Sequence, residues 1–113
     1  MKKQKMNEEE LKNKLKEYNS SDIYFLKKRW RDLIDSKDYT QIQKEKGANL
    51  QVVYDIFNPD KIKSITKAEH SDDRYRVTLK HTGNFEINVF IKFDTPKKGQ
   101  LGIITFYKAK IKQ

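Results

Sequence analysis

Side chains that could carry catalysis or bind a metal are scarce in this sequence. It contains no cysteine, which excludes disulfides, thiol catalysis and thiolate metal sites. Its two histidines, His70 and His81, do not stand in a metal-ligand spacing such as H-x-x-x-H. Glycine-rich phosphate loops and nucleophile-elbow strings do not occur either. The sequence therefore predicts neither a metal nor a cofactor.

Acid–base catalysis would instead require carboxylates or tyrosines around a pocket between helices and sheet. The carboxylates nearest to such a pocket are Asp38 and Asp55, and none falls on an inward strand face. Aromatic side chains at inward positions are more often core residues than catalysts. The sequence favours a protein that is not an enzyme, with a small-molecule enzyme as the less favoured alternative. The residues that would line a pocket are Trp30, Tyr54, Tyr75 and Tyr107.

The N-terminal part of the chain is patterned for helices. Residues 1–6 are predicted to be a flexible basic tail, and residues 7–113 a single domain. Asn7 followed by Glu10 is typical of a capping box. Leu11, Leu15 and Tyr18 then share one face of a first helix.

A second helix is predicted to begin at residues 19–22, Asn-Ser-Ser-Asp, which are capping residues. One continuous helix over residues 8–36 would keep nearly the same apolar stripe, so both alternatives stand. A short third helix is predicted to begin at Asp38 and to end at Gly47. Residues 50–57 fit either a helix or a strand. The inward residues of the second helix would be Ile23, Leu26, Trp30, Leu33 and Ile34.

Strands follow the turn Asn-Pro-Asp at residues 58–60, where the apolar period changes to two. They are predicted at about 62–69, 73–80, 84–93 and 101–111. Pairing Leu79 with Phe85 keeps the apolar faces together and leaves Gly83 in a three-residue loop. Pairing Ile91 with Ile103 continues the same face. The predicted fold is α+β, with N-terminal helices packed on one face of a curved, cone-like, antiparallel four-stranded meander.

One aromatic residue breaks the alternation of the strand NFEINVFIKF, residues 84–93. The odd-numbered side chains are apolar, yet Phe90 lies on the polar side with Glu86, Asn88 and Lys92. If all odd-numbered side chains from 75 to 111 face the helices, an apolar cluster forms on the opposite face. Such a contiguous patch is typical of an interface, most simply that of a two-fold homodimer. Its residues are Arg74, Phe90, Ile104 and Phe106.

A net charge of +9 favours acidic partners. One alternative to a protein interface is therefore nucleic-acid binding, in which bases stack on the aromatic residues. A further alternative is that a helix covers this face and makes it a second core layer. The residues that would contact nucleic acid are Arg74, Arg76, Lys92, Lys108 and Lys110.

The N-terminus carries lysines but no apolar segment of the kind found in export signals. No apolar run approaches the roughly 18 residues that a membrane-spanning helix needs. The expected location is cytoplasmic as the sequence is written, or extracytoplasmic if the chain is a fragment that lacks its export signal.

Three segments carry a family resemblance: LIDSKDY, IKSITKAEHSDDRYRVTLK and GQLGIITFYKAKI. Residues 22–111 resemble the nuclear-transport-factor-2-like superfamily, and look closest to small Gram-positive bacterial domains of unknown function. The resemblance implies a cone of helices packed into a curved sheet. The superfamily contains isomerases, hydrolases and binding domains, and a type IV secretion assembly protein has a similar fold.

Catalytic members of that superfamily carry Asp, His or Tyr in the cone, and no such set can be placed in this sequence. The predicted function is therefore a non-catalytic binding or assembly module that acts through protein–protein contacts. The alternative is a basic nucleic-acid-binding module of a plasmid, conjugation or phage system.

Overall fold

A computed structural model describes residues 7–25, 28–29, 50–68, 73–95 and 97–111. These residues contain one α-helix, two 3₁₀ helices and a six-stranded mixed sheet. The predicted basic tail at residues 1–6, Trp30 and the predicted third helix lie outside the described residues. The elements are α1 (Glu8–Leu15), a first 3₁₀ helix (Ser20–Asp22), β1 (Ile23–Phe25), β2 (Lys28–Arg29), a second 3₁₀ helix (Leu50–Phe57), β3 (Ile62–Lys67), β4 (Arg74–Lys80), β5 (Phe85–Phe93) and β6 (Leu101–Lys110).

Helix α1 begins at the predicted capping box. The Glu10 amide donates to Asn7 Oδ1 at 2.8 Å, and the Asn7 amide donates to Glu10 Oε1 at 3.3 Å. These two bonds satisfy backbone donors that have no partner within the helix. Leu11 and Leu15 are buried on the predicted face, and Tyr18 is buried just beyond the helix end.

The prediction of a second helix is wrong at its first turns. Asn19 does cap the segment that follows, but this segment is the first 3₁₀ helix, and it leads directly into β1. Ile23 and Phe25 are fully or almost fully buried because β1 lies parallel to β6, with Ile23 opposite Leu101 and Phe25 opposite Ile103. β-Branched and aromatic side chains suit this pleated, buried position better than a helix.

The predicted four-stranded antiparallel meander with helices on one face is also wrong as a fold class. The order across the sheet is β2-β1-β6-β5-β4-β3. Strands β3 to β6 pair antiparallel, but β1 adds a parallel neighbour to the last of them, so the sheet is mixed. The pairing with β1 satisfies backbone groups of β6 that would otherwise form an unpaired edge.

The β4–β5 hairpin keeps the predicted faces but not the predicted register. Leu79 pairs with Ile87 rather than with Phe85, a shift of two residues. A shift of two leaves every side chain on its expected face, so the apolar pattern cannot distinguish the two registers. Gly83 has a φ of 64°, which confirms the left-handed position predicted for it in the turn.

A β-bulge interrupts the pairing of β5 with β6. Ile91 pairs with Ile103 as predicted, but the preceding residue of β5, Phe90, pairs with Thr105, which leaves Ile104 as an extra residue. One inserted residue reverses the side-chain alternation beyond it. The prediction that odd-numbered residues through 111 face the helices is therefore wrong beyond residue 103.

The reversal places Phe106 in the core, where it is 0% exposed, and turns Tyr107 to the other side of the sheet, where it is 40% exposed. The Phe106 ring packs edge-on against Phe25, with 6.0 Å between ring centroids. This contact gives a physical reason for the reversal, because Phe25 of β1 provides an aromatic partner for Phe106 on the core side. The sequence did not predict that β1 lies there.

The two sides of the sheet are thus distinct. The core face carries Val77, Leu79, Ile87, Val89 and Ile91, and it is covered by α1 and by Val53 and Ile56 of the second 3₁₀ helix. The opposite side, here called the outer face, carries Arg74, Arg76, Thr78, Asn88, Phe90 and Tyr107.

Substitution of the two neighbouring aromatic residues tests the bulge. Phe106→Ala is expected to lower the free energy of unfolding by about 3–5 kcal/mol, because it leaves a cavity in the core. Tyr107→Ala is the matched control and is expected to cost about 1 kcal/mol or less, the range of an exposed cross-strand aromatic pair. Urea denaturation measures both values. Equal costs, or a larger cost at Tyr107, would contradict the assignment of faces.

Candidate functional site

An aromatic pair, in which Tyr107 is exposed and Phe90 is partly buried, lies on the outer face. The Phe90 and Tyr107 rings stack with 6.0 Å between centroids and 23° between planes. Phe90 lies opposite Arg76 on β4 and Thr105 on β6, whereas Tyr107 lies opposite Asn88 on β5. The bulge at Ile104 produces this contact, because without it Phe106 would occupy the outward position.

A buried hydrogen bond supports the sheet beside this aromatic pair. Thr78 Oγ1 donates to Asn88 Oδ1 at 2.8 Å, and both residues are 7% exposed. A paired polar group of this kind avoids the cost of burying an unsatisfied hydroxyl or amide. It also fixes the side chains of adjacent strands, so the aromatic residues stand on a rigid base.

Two exposed arginines lie next to the aromatic pair. Arg74 and Arg76 are exposed on the outer face. Within the described ranges, no carboxylate lies within ion-pair distance of either guanidinium group. By contrast, Lys92 on the neighbouring strand forms a 2.9 Å ion pair with Asp73. The arginines therefore keep their donors available for a partner.

The bulge divides the residues predicted to bind nucleic acid. Arg74, Arg76 and Lys92 lie on the outer face, where Arg74 pairs with Lys92 and Arg76 pairs with Phe90. Lys108 and Lys110 follow the reversed alternation, pairing with Ile87 and Phe85, and lie on the same side as the core. Lys108 Nζ stands 4.8 Å from the centre of the exposed Phe85 ring. The five cations do not form one surface.

The predicted interface residues are divided in the same way. Arg74 and Phe90 lie on the outer face, Ile104 is partly buried at the bulge, and Phe106 is in the core. Tyr107 takes the position expected for Phe106, and it was not among the predicted interface residues. The doublets Ile103-Ile104 and Phe106-Tyr107 are the signal in the sequence, because strict alternation cannot bury only one face with adjacent apolar residues.

The residues predicted to line a pocket are not brought together. Tyr54 lines a groove beside α1, and Tyr75 packs against Phe93 on the core side with ring centroids 5.3 Å apart. Tyr107 lies on the outer face, and Trp30 is outside the described residues. These tyrosines therefore do not form a shared acid–base site.

The described titratable residues do form one cluster, where α1 meets the β5–β6 loop. Asp94 Oδ1 accepts hydrogen bonds from the Tyr18 hydroxyl at 2.9 Å and from the Gly99 amide at 3.0 Å. Lys14 Nζ lies 3.7 Å from Asp94 Oδ2. The Tyr18 ring also stacks on Phe93, with 5.8 Å between centroids. These contacts tie the helix end to the loop.

The electrostatics of this cluster favour a structural role. The Gly99 amide and the Tyr18 hydroxyl lower the pKa of the Asp94 carboxyl. Burial and the hydrogen bond to Asp94 raise the pKa of Tyr18. Burial alone would lower the pKa of Lys14, but Tyr18, Asp94 and Glu17 raise it overall. All three pKa values move away from neutrality, so the cluster holds its charges at pH 7 rather than exchanging protons.

Metal ligands are not clustered in the part of the chain that the structure describes: no three His, Asp or Glu residues stand close enough to hold an ion. Over the same residues, no helix is long and apolar enough to cross a membrane.

Removal of the Asp94 charge tests the helix–loop contact. Asn tolerates the positive φ of 53° and can still accept both hydrogen bonds, so Asp94→Asn isolates the charge. The pKa of Asp94 is below its ordinary value of 3.8 in the folded chain, so its charge stabilises the fold above that pH. The stability difference between wild type and Asp94→Asn is therefore expected to be constant near neutral pH and to shrink as the pH falls below 3.8.

Urea denaturation at a series of pH values measures this difference. Asp60→Asn is the matched control, because Asp60 is an exposed carboxylate in the turn before β3. Its effect should be smaller than that of Asp94→Asn near pH 7. A difference for Asp94→Asn that grows on acidification would contradict the contact.

Comparison of the chain with protein-family models, curated proteins and solved structures finds no match. The resemblance to the nuclear-transport-factor-2-like superfamily therefore stays a prediction.

Proposed function

We propose that the chain is a non-catalytic binding or assembly module that contacts another protein through its outer face. The contact surface is formed by Phe90, Tyr107, Arg74 and Arg76, here called the aromatic–arginine patch. The observation that carries this proposal is the stacked aromatic pair, exposed at Tyr107, beside two exposed arginines that form no ion pair with any residue the structure describes.

The residue types in the patch suit protein recognition. Tyrosine, phenylalanine and arginine are enriched at the centres of interfaces, where a few such side chains supply most of the binding energy. The Phe90–Tyr107 stack and the Thr78–Asn88 hydrogen bond already hold the patch in one arrangement. Less side-chain freedom is then lost on binding, which favours affinity.

The charge of the patch indicates an acidic partner. Arg74 and Arg76 present guanidinium groups that pair well with carboxylates, and the whole chain carries a net charge of +9. A two-fold homodimer through this face, as expected from the sequence, would bring like charges together, which is unfavourable. An acidic surface on a different protein matches the patch better than a second copy does.

Single-stranded nucleic acid is the second candidate partner. The exposed Tyr107 ring, which stacks on Phe90 opposite Arg76, could stack a base, and cations around an aromatic platform attract phosphates. Lys108 and Lys110 lie on the other side of the sheet, so fewer basic side chains remain on the outer face to contact a nucleic-acid strand. An acidic protein therefore remains the preferred partner.

Photo-crosslinking in the native host tests the proposal. A benzophenone amino acid at position 107 is expected to form a crosslink to one acidic protein. The added substitution Arg76→Glu should reduce the crosslink yield about tenfold, the effect of losing about 1.4 kcal/mol of binding energy. Mass spectrometry identifies the partner, and urea denaturation confirms that each variant is folded.

The structure supplies a matched control at Phe85. This residue is 37% exposed beside the cation of Lys108, but it lies on the opposite side of the sheet. Benzophenone at position 85 should not give the same product. A crosslinked second copy would favour the homodimer, and a nuclease-sensitive product would favour nucleic acid. The same product from positions 85 and 107, or none from either, would refute a binding site at the patch.

A further inference from the structure

A groove on the other side of the molecule forms a second candidate site. It has a volume of about 650 Å³ and lies between the C-terminal end of α1 and the second 3₁₀ helix. Because these elements cover the core face, the groove is separated from the aromatic–arginine patch by the sheet. Its volume falls in the range of about 300–1,000 Å³ that is usual for small-molecule sites.

The walls of the groove are mainly apolar. Leu15 and Tyr18 form the side contributed by the helix end, and Tyr54, Ile56 and Phe57 form the side contributed by the second 3₁₀ helix. Side chains of this kind favour an alkyl chain or an aromatic ring, which releases water from the surface when it binds.

Two lysines add positive charge to this apolar groove. Lys12 and Lys16 are four residues apart and Leu15 lies between them, so all three side chains fall on one side of the helix end. Lys12 Nζ is 3.2 Å from Glu8 Oε1. Lys16 is exposed and has no ion-pair partner among the described residues. Its ammonium group is therefore available to an anion.

The combination of apolar walls and the exposed Lys16 ammonium group at one side favours an amphipathic ligand. We propose that the groove binds a small molecule with an apolar body and a single carboxylate, such as a medium-chain fatty acid. The apolar body lies against the partly exposed Tyr54, Phe57 and Ile62, and the carboxylate pairs with Lys16. This site is additional to the proposed protein-binding function and does not depend on it.

Calorimetric titration of the full chain with dodecanoate, below its micellar concentration, tests this proposal. Dodecanoate is expected to bind, and dodecyltrimethylammonium, with the same chain and the opposite charge, to bind at least about tenfold more weakly. Lys16→Glu should weaken dodecanoate binding by about tenfold and reduce the preference for the anion. Lys110→Glu, at an exposed lysine outside the groove, is the matched control and should leave both affinities unchanged.

Phe57→Ala provides a second variant that acts on the apolar wall. It should weaken the binding of dodecanoate and of uncharged dodecanol to a similar extent, whereas Lys16→Glu should weaken only the binding of dodecanoate. The absence of dodecanoate binding, equal affinity for the anion and the cation, or equal effects of Lys16→Glu and Lys110→Glu would overturn the proposal. Arg76→Glu in the patch should not change dodecanoate affinity, which separates this test from that of the protein-binding function.

Discussion

The β-bulge at Ile104 is the constraint on which the two faces of this protein depend. A regular β5–β6 ladder would send Phe106 outward and Tyr107 inward. The extra residue reverses both, so that Phe106 meets Phe25 in the core and Tyr107 meets Phe90 outside. Burial of the Phe106 ring supplies a driving force for the irregular pairing, since a fully buried aromatic side chain contributes about 1.5–3 kcal/mol. The aromatic pair on the outer face, exposed at Tyr107, is a consequence of the same packing.

Two groups of polar contacts stabilise the two sides of the sheet. The Thr78–Asn88 hydrogen bond links β4 to β5 on the outer face. The contacts of Asp94 with Tyr18, Gly99 and Lys14 anchor the end of α1 to the β5–β6 loop on the core side. Because α1 also forms one wall of the groove, these contacts help to set the position of Leu15, Tyr18 and Lys16. Each proposed site therefore has its own structural support, and the sheet lies between them.

Local patterns predicted much of the secondary structure. The capping box at Asn7, the left-handed Gly83 and the positions of the four strands of the meander follow from residue types a few positions apart. The tyrosines considered as pocket residues were harder to place, because an aromatic residue in a strand looks the same whether it faces a core, a cavity or a partner. Tyr107, a residue of the proposed patch, adjoins the predicted Phe106, so the prediction found the right strand but assigned these two adjacent side chains to the wrong faces.

The sequence by itself determined the apolar periods, the helix start and the turn that requires glycine, since these depend on backbone preferences and on neighbouring side chains. Only the tertiary structure decided that residues 23–25 form a strand beside β6, that the β4–β5 register shifts by two, and that β6 contains a bulge. All three depend on contacts between residues far apart in the chain. A two-residue shift preserves both faces, so the apolar pattern does not fix the register. The inward position of Phe106 involves its contact with Phe25, which is far from it in the sequence.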